Sequence, residues 1–136
     1  MAKGPVLVGV DGFVAGEEHS LEYGSTVVIG RSRSCEVSLQ RAGSWLALSP
    51  EERDAAKDFK TVSRKHARVS YYNANSIEVE DLSSNGTFVN GKRIKRLVIT
   101  DLRERDYDVL LGTRERFRLE WRHDTTSAEA RPTGSD

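Results

Sequence analysis

A single cysteine, Cys35, occurs in the whole chain. Neither an intramolecular disulfide nor a cysteine-built zinc site can therefore hold the fold together. An excess of charge of one sign is also missing, because 21 Lys and Arg balance 21 Asp and Glu. Without a global basic field the chain is not expected to bind nucleic acid or an anionic membrane, although a local basic pocket is compatible with this balance. No long apolar run occurs, and the opening Met-Ala-Lys-Gly-Pro does not start one. No membrane span or signal peptide is expected, which favours a cytoplasmic setting, or a nuclear one in a eukaryote. The signatures of catalysis are missing too: there is no P-loop, no kinase motif set and no Gly-x-Ser-x-Gly elbow around Ser63 to make it the nucleophile of His66. His19 and His123 have no ligand partners at useful spacing, so neither a metal nor another cofactor is expected. The reading is not an enzyme.

What is present is one domain's worth of alternating sequence. A chain of 136 residues with 37% hydrophobic and 31% charged side chains has room for one core. In Ala67-Arg68-Val69-Ser70-Tyr71 the apolar residues fall on every second position, the period that buries one face of a strand. Ile77-Glu78-Val79-Glu80 and Phe117-Arg118-Leu119-Glu120-Trp121 repeat it. Val27-Val28-Ile29 is a β-branched run that stops at Gly30, and Asp11-Gly12 closes the apolar run of residues 6–10. Residues 72–76 should form a hairpin loop. Asn90-Gly91, between Thr87-Phe88-Val89 and Arg93-Ile94, predicts a type I′ hairpin. The fold class is all-β: a two-sheet antiparallel β-sandwich of about eleven strands.

One segment breaks the rhythm. Between Leu39 and Thr61, Ser49-Pro50-Glu51-Glu52 offers an N-cap, a proline suited to the first helical position and the Glu of a capping box. One short helix is predicted in this insertion, residues 40–60, with Trp45, Leu46 and Leu48 anchoring it to the sandwich. Cys35 reads as a small core residue. The first five residues read as a flexible N-terminus and residues 123–136 as a disordered polar tail, in which Thr125 and Thr126 are candidate phosphorylation sites.

Three clusters carry hydrogen-bonding chemistry at strand ends: Gly30-Arg31, Ser63-Arg64-Lys65-His66 and Ser83-Ser84-Asn85-Gly86-Thr87. Together Arg31, Ser63, Arg64, Ser84 and Asn85 make the donor set that a phosphate dianion needs. The order Gly-Arg, Ser-x-x-His, Ser-Asn-Gly-Thr and a further Asn-Gly, closed by Asp108-Val109-Leu110-Leu111-Gly112, resembles the forkhead-associated (FHA) domain family. Its motifs span most of residues 6–121, and the domain is expected over residues 6–122.

The resemblance implies a phosphothreonine-peptide-binding module that recruits phosphorylated partners in signalling, with a Ser/Thr kinase upstream. It implies that Arg31 and Ser63 contact phosphate, that Arg64 adds contacts and that Ser84 lines the phosphothreonine site. Asn85 would hold the peptide backbone. His66 would brace the loops from beneath, and Gly30 and Gly86 would let the backbone turn. Selectivity beyond the phosphothreonine is expected from loops near Thr61 and before Asp108, with Arg103 or Arg105 selecting an acidic residue. The molecule is expected to act as a monomer. The competing reading is a phosphorylation-independent scaffold that uses the sheet face or the inserted loop.

Overall fold

Two-residue periodicity organises the described chain, residues 4–123 of a computed structural model. In chain order the strands are β1 (Gly4–Asp11), β2 (Glu18–Ser20), β3 (Thr26–Gly30), β4 (Val37–Ser38), β5 (Ala67–Asn73) and β6 (Ser76–Asp81). They continue with β7 (Thr87–Val89), β8 (Lys92–Ile94), β9 (Arg96–Ile99), β10 (Tyr107–Leu111) and β11 (Glu115–Arg122). Six form one sheet in the order β2-β1-β11-β10-β7-β8, and five form the other in the order β4-β3-β5-β6-β9. Leu7, Val109, Phe117 and Leu119 from the first sheet and Ile29, Val69, Ile77 and Val79 from the second are fully buried in one shared core. Burying each such side chain contributes about 1.5–3 kcal/mol.

The local signals produce the expected turns. Asn90 and Gly91 both have positive φ (51° and 83°), and Val89 pairs with Lys92 across them. β5 and β6 are joined at Ala74-Asn75, a tighter turn than the expected residues 72–76, because Asn73 already pairs with Ser76.

Three further expectations are corrected. The sheets are not wholly antiparallel: β3 and β4 run parallel, with Ile29 opposite Val37, because a short loop returns the chain beside β3 without reversing it. Gly4 and Pro5 are not a flexible end; they are buried and pair with Arg122 and Trp121. The insertion contains two short helices rather than one, α1 (Gly43–Leu46) and α2 (Pro50–Ala55), flanked by 3₁₀ turns at Leu39–Arg41 and Lys57–Thr61. The capping box that starts α2 is complete: Glu52 N–H donates to Ser49 Oγ (3.1 Å), and Ser49 N–H donates to Glu52 Oε1 (2.7 Å). Residues 124–136, with the predicted tail and its Thr125 and Thr126, lie outside the described residues.

The insertion is fastened by aromatic packing. Trp45 and Phe59 stack at 3.6 Å with their planes 7° apart, and Phe13, from the turn after β1, meets both edge-on. Trp45 and Phe59 are buried and Leu48 packs partly against the core, whereas Leu46 is half exposed and lies outside the core cluster of the described residues. Cys35 is buried and its thiol donates to the Arg64 carbonyl (3.1 Å).

Strand direction places the loops. β3 ends at Gly30 and β5 begins at Ala67 on the same end of the sandwich, since Ile29 pairs with Ala67. The turn between β10 and β11 also lies there: Gly112 N–H donates to the Gly86 carbonyl (3.2 Å). Gly4 and Arg122, paired with each other, lie at the opposite end.

Candidate functional site

At the shared end, three loops are tied to one another mainly through backbone groups. Arg31 N–H donates to the Ser63 carbonyl (3.0 Å) and Ser32 N–H to the Arg64 carbonyl (3.1 Å), so the Gly-Arg loop lies directly on the Ser-x-x-His loop. Gly30 is required at this crossing. A Cβ there would lie 2.7 Å from the Arg64 carbonyl carbon and 2.9 Å from the Ser63 oxygen.

His66 joins the second loop to the third. It is fully buried. Ser63 N–H donates to its Nδ1 (3.0 Å), which must therefore be unprotonated, and its Nε2–H donates to the Gly86 carbonyl (2.8 Å). Both bonds require the neutral ring with the proton on Nε2. Burial pushes its pKa below the ordinary histidine value, in keeping with that state. Gly86, at φ +105°, turns the backbone where an L side chain would be strained.

Asp81 organises the third loop. Its Oδ1 accepts from Ser83 N–H (3.0 Å), Ser83 Oγ–H (2.5 Å) and Thr87 Oγ1–H (2.8 Å). Burial alone would raise the Asp81 carboxyl, but these hydrogen bonds outweigh it and hold the group below the usual carboxylate range. Ser83 Oγ in turn accepts from Gly86 N–H (2.8 Å).

The donors that this frame leaves unused define its chemistry. Ser63 Oγ accepts from Ser84 N–H (3.2 Å), which leaves the Ser63 hydroxyl proton free to point outward. Arg31 spends its Nε–H on the Val62 carbonyl, and its guanidinium rests 5.9 Å from the centroid of the Phe59 ring. Its two terminal amino groups remain available for a bidentate contact with an oxyanion. Asn85 Nδ2 donates to the Thr61 carbonyl (2.9 Å), leaving its amide oxygen and second N–H for another chain. Arg64, Ser84 and Asn85 are exposed around them.

The structure thus brings together Arg31, Ser63, Arg64, Ser84, Asn85 and Thr61. It does not bring Arg103 or Arg105. Arg103 donates to Asn75 Oδ1 (3.3 Å), at the β5–β6 hairpin on the opposite end, and Arg105 pairs with Asp101 (3.3 Å). The physical reason is chain direction: residues 100–106 precede β10, which must then run the length of the sandwich to reach the site.

The turn after β10 arrives there instead. Thr113 N–H donates to Thr61 Oγ1 (3.2 Å), and Thr113 Oγ1–H donates to Asp58 (2.7 Å). Gly112, at φ +66°, would drive a Cβ against the Thr61 carbonyl oxygen at 2.9 Å.

Arg93 was also missed. Its guanidinium donates weakly to the Ser84 carbonyl (3.4 Å). The Asn90-Gly91 hairpin held the signal, because its register sets Arg93 opposite Phe88, two residues beyond Gly86.

Such a sandwich, with fixed outward-facing donors on its loops, is a recognition module rather than a channel or a barrel with an interior. The model of the FHA domain matches residues 27–112, and the chain belongs to that family. Among solved structures, the FHA domain of CT664 from Chlamydia trachomatis is 26% identical, with 86% of this chain and 96% of that one covered at a TM-score of 0.62. An FHA domain solved in work on phosphothreonine-dependent interactions is 22% identical, covering 88% and 97% at a TM-score of 0.59. Mycobacterium tuberculosis EmbR, solved with a low-affinity phosphopeptide, is 20% identical, covering 90% of this chain and 26% of that one at a TM-score of 0.61. No curated protein matches.

Proposed function

We propose that this FHA domain is a phosphothreonine-peptide-binding module that recruits proteins phosphorylated by a Ser/Thr kinase, acting as a monomer and without catalysis. The observation that carries the reading is the set of unspent donors from three loops fixed in one patch: the Arg31 amino groups, the Ser63 hydroxyl and the Asn85 amide. A phosphate dianion bears about 1.5–2 negative charges and three strong acceptor oxygens, and this patch complements both properties. Arg31 takes two oxygens, Ser63 donates to the third, and Arg64 and Ser84 close the rim. Asn85 engages the peptide backbone on either side of the phosphorylated residue, and Thr61 with Thr113 borders the groove.

Two structural neighbours point the same way, one from work on phosphothreonine-dependent interactions and the other solved with a phosphopeptide. No helix of the described residues is long and apolar enough to cross a membrane. The partner this patch suits is a phosphorylated protein segment.

Titration calorimetry with a phosphothreonine peptide library tests the proposal. A micromolar complex, about −8 kcal/mol, is expected. Arg31→Ala should remove measurable binding, since truncating one member of such a charge pair costs about 2–5 kcal/mol. Unchanged affinity in that variant would remove Arg31 from the site. A partner held equally well after phosphatase treatment would replace the proposal with the scaffold reading.

A further inference from the structure

The insertion forms a second concavity against the phosphate patch. A cleft of about 320 Å³ lies between Arg31 and the helical segment, with Trp45 and Phe59 contributing its aromatic surface and Arg53, Asp54 and Lys60 its charged surface. Four of these side chains form a ladder. The Arg53 guanidinium lies 5.4 Å from the Trp45 ring, Trp45 stacks on Phe59 at 3.6 Å, and Arg31 lies 5.9 Å from Phe59. The phosphate-facing arginine and the insertion's arginine are thus linked through two rings, and the cleft shares Arg31 with the phosphate patch.

The cleft also adjoins the peptide-backbone contact, because Lys60 directly precedes Thr61, whose carbonyl Asn85 holds. The cleft is therefore within reach of a chain held by Asn85 with its phosphate on Arg31, since it shares Arg31 and borders Thr61. Three cations, Arg31, Arg53 and Lys60, face one carboxylate, Asp54. Arg53 uses Nε and one amino group on the carbonyls of Trp45 (3.3 Å) and Leu46 (3.2 Å), which keeps its other amino group available. Lys60 is exposed and makes no ion pair with a described residue.

We infer that this cleft is a subsite for an acidic side chain of the same peptide, flanking the phosphothreonine, with Lys60 and Arg53 selecting its charge over an aromatic floor. The inference rests on the phosphopeptide reading and deepens it: the insertion supplies sequence selectivity that the phosphate patch by itself does not.

The test uses fluorescence anisotropy at low ionic strength with three kinds of phosphothreonine peptide. One carries alanines around the phosphothreonine, one places glutamates and one lysines at each flanking position in turn. The wild type is expected to favour glutamate over lysine at one or more positions by about threefold to tenfold, the range that exposed charge pairs support. Lys60→Glu should abolish or reverse that preference, and Asp54→Lys should enlarge it, each read as the ratio of glutamate-peptide to lysine-peptide affinity, so that a common change in phosphate affinity cancels. Both residues are exposed, and neither belongs to the phosphate patch. A general loosening of the insertion would not move the two variants in opposite directions. Binding of the alanine peptide with no charge preference, or with a preference that neither variant alters, would overturn the subsite alone. Failure of the wild type to bind any of the phosphorylated peptides would overturn the phosphopeptide reading and the subsite with it.

Discussion

Replacing His66 with phenylalanine keeps a ring in a fully buried position and removes both hydrogen bonds that connect the second and third loops. Ser63 N–H loses its acceptor at 3.0 Å and the Gly86 carbonyl one of its two donors, at 2.8 Å. The Ser63 N–H is left without a partner, at about 1–3 kcal/mol. The Gly86 carbonyl keeps the Gly112 N–H (3.2 Å) and loses only one net hydrogen bond, about 0.5–1.5 kcal/mol, so the expected loss is about 1.5–4 kcal/mol. For a domain whose whole stability is about 5–15 kcal/mol, this is readily measured by urea unfolding.

The pH dependence makes the test sharper. An imidazole whose folded pKa is depressed contributes fully above its unfolded value, near 6.5, and that contribution is lost as the pH falls from there toward the folded value. The slope within that window approaches about 1.4 kcal/mol per pH unit. Phenylalanine has no such slope. The stability gap between wild type and His66→Phe should therefore narrow as the pH is lowered from about 7.5 to 5. A gap that stays constant over this range would refute the assignment of His66 as a buried neutral ring donating from Nε2.

Two further perturbations follow from the same geometry. Gly30→Ala should separate the Gly-Arg and Ser-x-x-His loops, at about 1–3 kcal/mol for overpacking plus the strained hydrogen bonds of Arg31 and Ser32; wild-type stability by thermal unfolding would contradict the close approach. Glu115 is fully buried; its Oε1 accepts from Val14 N–H (3.2 Å), Oε2 has no hydrogen-bond partner among the described residues, and burial raises its pKa. A carboxyl shifted upward contributes fully below its unfolded value, near 4.5, and that contribution is lost as the pH rises through the folded value. The Glu115→Gln variant should lack this slope, and parallel stability–pH curves for the two proteins would count against it.

Features set by neighbouring residues were legible in the sequence. Asn90-Gly91 needed only its own preference for positive φ, and Ser49 with Glu52 needed only helical spacing, so both could be read without knowing what lies across the fold. The donor set was legible for another reason: the strands bring their ends together, and the residue order matched a known family. What failed required three-dimensional direction. Arg103 and Arg105 carry suitable charge, but a loop before β10 and a loop after it differ by the length of a strand, and only the second reaches Thr61. The stacking of Trp45 on Phe59 joins residues fourteen apart through packing that no period encodes. Glu115, between Arg114 and Arg116, reads as part of a solvated run; its burial depends on the turn after β1 folding over it.

The pairing of Gly4 with Arg122 has a practical and biological consequence. Both strands leave the sandwich at one end, with the length of β11, roughly 25 Å, between that end and the binding loops. Sequence attached on either side of the domain therefore enters at its base, so a sensor surface, a fusion partner or a neighbouring domain can hold it there without crossing its mouth. The domain's orientation toward a phosphorylated protein is set by whatever holds the base, while the phosphate patch and the cleft beside it face outward together.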